Sequence, residues 1–428
     1  MITRTMGRRA SSAIALTTAV GLALAGCAGG NKAASSGGAT EFSVLVTTEN
    51  TQTGPMFNYL KQNSCADAQQ KIPYTLSQTP SADMQAKIQL LGGQQALPVM
   101  YAGTQSLIKT GGDLQVSGQV LDLKSTFQQL GVLDQVTPAA QSVISQLYDG
   151  AFPTVPLQFN IEGIFYNKKI FADNNIQVPT TLADLQTAAT KLKAAGVTPF
   201  VASGKTGWTI SRWLGAIIYS TLGPDALKKV ADGKAKLTDP QYVAAAQKLQ
   251  DMGPLFIDGI TNLDYDTMNA QMLTGKAAMM YMGTWFLANV NNAQQNKVGN
   301  DIGFMAFPGI NGYPANVGSP NAINAKLYND GVGAWLTCIA KSWGSASLSQ
   351  QGTFSGFVAN TPVPNLPPLT ADIQQKIQSA PGSVLWFEAL FTPKANSDSS
   401  ANAAPLLTGA MKPADFMKLI QSDLDAGA

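Results

Sequence analysis

Phe42-Ser43-Val44-Leu45-Val46-Thr47, Tyr74-Thr75-Leu76-Ser77 and Leu97-Pro98-Val99-Met100-Tyr101 are three short apolar runs, and what separates them decides the fold. A helical stretch from about residue 55 to 64 lies between the first two. Another, from about 82 to 91, lies between the second and third, with Thr79-Pro80-Ser81 at its start and Gly92-Gly93 at its end. Proline near helix starts and glycine past helix ends is the expected punctuation. Strands alternating with helices predict a parallel α/β sheet. The pattern resumes further along: a strand at 161–166, then a helix opened by Thr181 with Asp184 three residues later and closed by Gly196, then a strand at 198–202. Asp239-Pro240 starts another helix, Asp266 to Thr274 forms one ended by Gly275, and Ala277 to Met282 is an apolar strand leading into Gly283-Thr284-Trp285. The tail from Lys412 to Asp423 is helical, with Pro413 in its first turn.

Outward from this core, the first 26 residues read as a secretory signal. Arg4, Arg8 and Arg9 precede an uncharged run, Ala10 to Gly26, that is too short and too rich in alanine and glycine for a transmembrane helix. Arg8-Arg9 lacks the apolar follow-up of twin-arginine export, which favours the general route. Leu24-Ala25-Gly26-Cys27 resembles the bacterial lipobox, whose cysteine becomes the lipidated first residue of the mature protein. Residues 27–40 are small and polar, the composition of a flexible tether. Without the three signal arginines, the 28 Lys+Arg against 26 Asp+Glu become 25 against 26, so there is no electrostatic footprint for nucleic acid. The chain has no histidine, which removes Ser-His-Asp and Cys-His catalysis and the usual zinc sites. Neither a cofactor nor a metal is expected. With Cys27 lipidated, Cys65 and Cys338 either pair in an oxidising compartment or stay as two buried thiols. About 400 mature residues exceed one core and predict two domains.

Several short pieces, in order, carry a resemblance. They are Phe165-Tyr166-Asn167-Lys168 with Phe171, the stretch Leu182 to Phe200 ending Ala-Ala-Gly-Val-Thr-Pro-Phe, Gly275-Lys276-Ala277-Ala278-Met279, and Met282-Gly283-Thr284-Trp285. Asp301-Ile302-Gly303-Phe304, Phe307-Pro308-Gly309 and Gly409-Ala410-Met411-Lys412-Pro413 complete the series. Together they resemble the extracellular solute-binding proteins of ABC importers, in the carbohydrate-binding branch that includes maltose-binding proteins. The resemblance implies a periplasmic-binding-protein-like fold: two α/β lobes with a ligand cleft between them. It implies residues 41–148 and 281–317 for lobe 1, and 149–280 and 318–428 for lobe 2. It also implies a monomer, anchored on the outer face of the cytoplasmic membrane, that delivers a mono- to oligosaccharide to a membrane permease. A departure follows Asn321, where Cys338 and the Ser/Gly-rich run 342–352 stand in place of the charged helical stretch usual in the family.

Ligands of open parallel sheets bind outside the carboxyl ends of strands. That rule selects Glu49 and Asn50 after the first strand, Thr79 after the second, Gln105 after the third, and the segments Ser203 to Trp208 and Thr284-Trp285 further on. A sugar presents a C–H face that stacks on aromatic rings and a rim of hydroxyls that need polar partners. The resemblance places a stacking aromatic at Trp285 and polar contacts at Glu49 and Asn160. It also places a weaker contact loop at Ser319 and Asn321. Trp208, behind the mobile-looking loop Gly204-Lys205-Thr206-Gly207, is a second stacking candidate. Glu162 shares a strand face with Asn160. Competing roles exist: Glu49 could cap a helix, Glu162 could be structural, and Trp335 and Trp343 are expected to pack on a helix face. A non-sugar solute is the alternative ligand. The motifs Ser106-Leu107-Ile108-Lys109, Lys205-Thr206-Gly207 and Ser319-Pro320-Asn321 also suggest a serine acyl-enzyme of the penicillin-binding type, although in the wrong order.

Overall fold

The computed structural model describes residues 38–427. The signal at 1–26, Cys27 and the tether as far as residue 37 lie outside the described residues. Two sheets organise the chain. The first has the order β2-β1-β3-β9, from Phe42–Thr47 (β1), Tyr74–Thr79 (β2), Met100–Ala102 (β3) and Asn321–Ile323 (β9). The second has the order β10-β8-β4-β6-β5, from Asn160–Asn167 (β4), Thr198–Phe200 (β5), Ala277–Gly283 (β6), Tyr313–Asn316 (β8) and Ser383–Leu385 (β10). Ile302–Met305 (β7) also pairs with β4.

The parallel expectation holds for β1, β2 and β3, and for the pairs β5–β6 and β8–β10, and fails at β4 and β9. β9 runs antiparallel to β3, and β4 runs antiparallel to β6, β7 and β8. The second sheet is therefore mixed. This reversal sets the amino end of β4 beside the carboxyl end of β6, with Glu162 opposite Gly283.

The expected lobe boundaries need correction. β7 and β8 fall inside the 281–317 span assigned to lobe 1, yet both pair with β4 in the second sheet. β9 and the helix Asp330–Gln351 fall inside the span assigned to lobe 2. β9 instead extends the first sheet, and Trp335 of that helix stacks on Phe42 of β1. The chain thus returns to the first sheet at 317–320, a span that contains the expected 317/318 boundary, but it crosses there in the opposite direction. The Ser/Gly-rich run continues this helix to Gln351, because Gly344 lets the helix approach the Val358 carbonyl, which an added Cβ would meet at 2.3 Å. Order also begins earlier than the tether boundary at Thr40. Ala39 is buried and donates to the Leu327 carbonyl at 3.1 Å, and Asn329 donates to the Ala39 carbonyl.

β6 is buried along its whole length, as its unbroken apolar sequence requires of a strand covered on both faces. Alternate residues feed two cores: Met280 and Met282 join the one shared with the first sheet, while Met279 and Tyr281 join the other. The second core packs under the helices Trp208–Leu222, Pro240–Asp251, Pro393–Thr408 and Pro413–Asp425. Trp335 and Trp343 are buried as expected, donating to the carbonyls of Ile72 and Leu157 at 2.9 and 2.8 Å. A disulfide joins Cys65 to Cys338 across a Cα separation of 5.7 Å, which settles the cysteine alternative in favour of pairing. Among the described residues, no helix is long and apolar enough to cross a membrane.

Candidate functional site

The candidate residues separate into two groups. After the strands of the first sheet, most are engaged by their own neighbourhood. Glu49 is exposed and accepts from the backbone N–H and hydroxyl of Ser81, the first residue of the helix Ser81–Gly93. These bonds hold its carboxyl below the usual range, as a carboxylate at a helix N-terminus should be. Asn50, two residues before the N-cap Gln52, accepts from the N–H groups of Gln52 and Thr53 and so satisfies donors at the entry to the helix Thr53–Asn63. Thr79 is buried and accepts from Lys87 at 2.7 Å. Asn321 is buried, its side chain donating to the Ser319 carbonyl and its backbone N–H to Thr154. Glu49, Asn50 and Asn321 thus each engage protein partners, and Glu49 holds the helix-capping place that competes with a ligand role. Gln105, half-buried, donates to the Leu147 carbonyl at 3.2 Å, and Ser319 is exposed.

At the end of the second sheet the picture differs. β6 ends at Gly283, and the chain turns so that the Trp285 ring lies over it; a Cβ at 283 would come within 2.0 Å of that ring. Only glycine permits this seat. Trp208, the first residue of the helix Trp208–Leu222, sets its ring 6.1 Å from that of Trp285 and 5.8 Å from Tyr265. All three rings are half-buried. The loop before Trp208 is tied down, contrary to its mobile-looking composition. Ser203 donates to the Leu263 carbonyl, Gly204 to Ile260 and Lys205 to Leu263, and Ser203 also binds Thr209 and Thr206. Gly207 has φ +68° and an added Cβ would meet the Ser400 carbonyl at 1.8 Å, so it is fixed by both conformation and space.

Asn160, at the amino end of β4, accepts from Thr284 at 3.1 Å and reaches Asn316 only at 3.5 Å, which leaves its amide N–H groups largely available. Glu162, two residues on, is buried rather than facing outward. One of its oxygens pairs with Arg212 and the other has no partner. Arg212 also binds Glu388 at 2.5 Å, and Ser211 donates to the same carboxylate. Burial pushes Glu162 up to about 7, with Arg212 pulling down and Glu388 pushing up. Arg212, Glu388 and Tyr265 were not among the expected site residues. A signal existed: Glu162, Arg212 and Glu388 are each the single charge in an apolar stretch, at 160–167, 208–222 and 385–391. Lone charges in buried elements must find one another.

Among the described residues, no hydrogen bond joins the three pieces of the acyl-enzyme motif. Ser106 Oγ pairs with Thr104, and among the described residues no hydrogen bond links Ser106 to Lys109 or Lys205. Nor, among the described residues, do three or more His, Cys, Asp or Glu side chains form a group able to hold a metal ion.

A sequence profile of a family described as bacterial extracellular solute-binding protein matches residues 65–342. The multiple sugar-binding protein of Streptococcus mutans is 28% identical over 166 residues, covering 36% of this chain and 38% of that protein. A probable sugar-binding periplasmic protein of Rhizobium meliloti is 27% identical over 236 residues, covering 54% and 56%. The chain thus spans about half the length, or less, of these relatives. Among solved structures, the bacterial solute receptor AcbH, with a substrate preference for b-D-galactopyranose, superposes with a TM-score of 0.75 at 18% identity, covering 90% of this chain and 98% of that one. That likeness is one of fold: a two-lobed α/β architecture.

Proposed function

Because the chain belongs to the bacterial extracellular solute-binding proteins, a family of binding proteins rather than enzymes, we propose that it captures a mono- to oligosaccharide and delivers it to the permease of an ABC importer. The observation that carries this reading is the half-buried pair Trp208 and Trp285 beside the under-used amide of Asn160. Two indole faces offer a sugar's C–H surface a place to stack, and the amide offers its hydroxyls a donor. Gln105 and Ser319, from the loops around the first sheet, would meet the ligand from the other side. Capture proceeds by closure of the lobes on the solute, with no chemical step. The sugar-binding relatives support the ligand class.

A thermal-shift screen against a panel of mono-, di- and oligosaccharides tests the ligand class, since a bound ligand raises apparent stability. At least one sugar should raise the melting temperature; a flat response across the panel sinks the carbohydrate reading. For the sugar that responds, Trp285→Ala should weaken binding by roughly 1–3 kcal/mol in calorimetry, the range for stacking on an aromatic ring. We further propose that the protein acts as a monomer, lipid-anchored at Cys27 on the outer face of the cytoplasmic membrane. Cys27→Ala should move it from the membrane to the soluble fraction, and retention in the membrane would remove the anchor.

A further inference from the structure

Trp208 does not hold its ring in place alone. Arg212, one helical turn further on, lays its guanidinium over that ring, 5.5 Å from Cζ to the centroid. The guanidinium is gripped on its other edges by Glu162 from β4 and Glu388 from the segment after β10. Three stretches far apart in sequence therefore converge on one cation beneath one indole. Nothing in folding alone asks for this. Two buried carboxylates around a single guanidinium carry excess negative charge in apolar surroundings, and well-packed apolar residues would serve stability as well or better.

We propose that Arg212 is the positioning residue of the Trp208–Trp285 pair, its guanidinium clamped by Glu162 and Glu388 so that the Trp208 ring is held at the angle the pair requires. The inference rests on reading that pair as the ligand platform, but its test needs no ligand. The clamp also responds to protons. The unpartnered oxygen of Glu162 is fully buried, and burial raises this carboxyl to about 7. The groups facing the carboxyl are Arg212 and Tyr219 from the helix Trp208–Leu222, Tyr281 from β6, and Glu388, which itself accepts from Ser211. Burial lifts the phenols of Tyr219 and Tyr281 far from neutrality, so they keep their protons while Glu162 changes state. With Glu162 ionised, Arg212 is drawn to two carboxylates and its seat over the indole is fixed from both sides. With Glu162 protonated, the pull comes from Glu388 alone and the ring is held less firmly.

The experiment follows Trp208 in the ligand-free protein. Subtracting the fluorescence of Trp208→Phe from that of the wild type isolates this ring, and acrylamide quenching reports its exposure between about pH 5.5 and 8.5. Quenching of the wild-type signal should rise as pH falls, with a midpoint near 7. Glu162→Gln should abolish the transition, and Glu162→Asp should restore one with a displaced midpoint. Arg212→Lys keeps the charge but loses the planar fork. It should leave the ring highly quenchable at every pH. A flat wild-type profile, or an unchanged transition in Glu162→Gln, overturns the proposal. If Arg212→Lys fails to give native circular dichroism, the Glu162 variants decide the matter alone. A sugar panel without response beside an intact pH transition would remove the carbohydrate reading and leave the role of Arg212 standing.

Discussion

The polar residues at the strand ends of the first sheet and those of the second meet different fates. After β1 and β2, Glu49 and Asn50 accept from backbone N–H groups where helices begin, and Thr79 accepts from Lys87 of the helix that follows it. At the end of the second sheet, the charged groups reach across 50 and 176 residues to meet at Arg212, and the aromatic rings above them stay half-exposed. The first arrangement is local and satisfies backbone N–H groups that any helix start leaves open. The second is non-local and costs desolvation, so it persists where something other than folding uses it. A polar residue at the mouth of a strand is thus weak evidence of a binding site. A lone charge in an apolar stretch is stronger.

Arg212→Ala tests this contrast most severely. It strands two buried carboxylates and should destabilise the protein by about 3–5 kcal/mol in denaturant unfolding. The contrast would break if the loss matched that of a surface cap. Next comes the pH dependence of stability. Glu162 rises from an ordinary 4.5 to about 7 on folding. The folded chain therefore keeps this proton while the unfolded chain has lost it. Stability from this group is fully present below about pH 4.5 and is lost as pH rises through about 7, a decline on the order of 3 kcal/mol. Glu162→Gln should flatten that part of the curve; an equally steep decline in the variant would show that other groups cause it. The smallest effect belongs to the first sheet. Asn50→Ala should cost about 1 kcal/mol, the scale of a side-chain acceptor at a helix start, and leave sugar affinity unchanged. A large loss of affinity instead would return Asn50 to the binding site and blur the distinction between the two regions.

Much of this architecture was legible in advance, where the governing forces are short-range. Phe42–Thr47 is a strand with the boundaries its apolar run suggests, and Thr181 and Asp184 form the reciprocal capping box their spacing announces. Pro413 opens the last helix. Trp208 and Trp285 each follow a strand end, and the fold brings their rings together. The direction of β4 was not legible, because an apolar run reads the same in either orientation. Nor was the return of β9 to the first sheet, since three residues carry too little pattern to announce a partner strand. The loop at Gly204–Gly207 looked mobile because its residues are small. Its rigidity comes from carbonyls at Ile260 and Leu263, supplied by a distant segment. Glu49 and Asn50 lie just past the end of β1, the same position at which helix N-termini compete for their oxygens.

The Cys65–Cys338 bond joins positions that bracket every strand of the second sheet except β10, at a sequence separation of 273. A protease that cuts once anywhere in that span divides the backbone without dividing the molecule. Two fragments would still migrate as one species until a reductant is added. A chain of this build can be nicked in an exposed turn of the second sheet and remain a single particle.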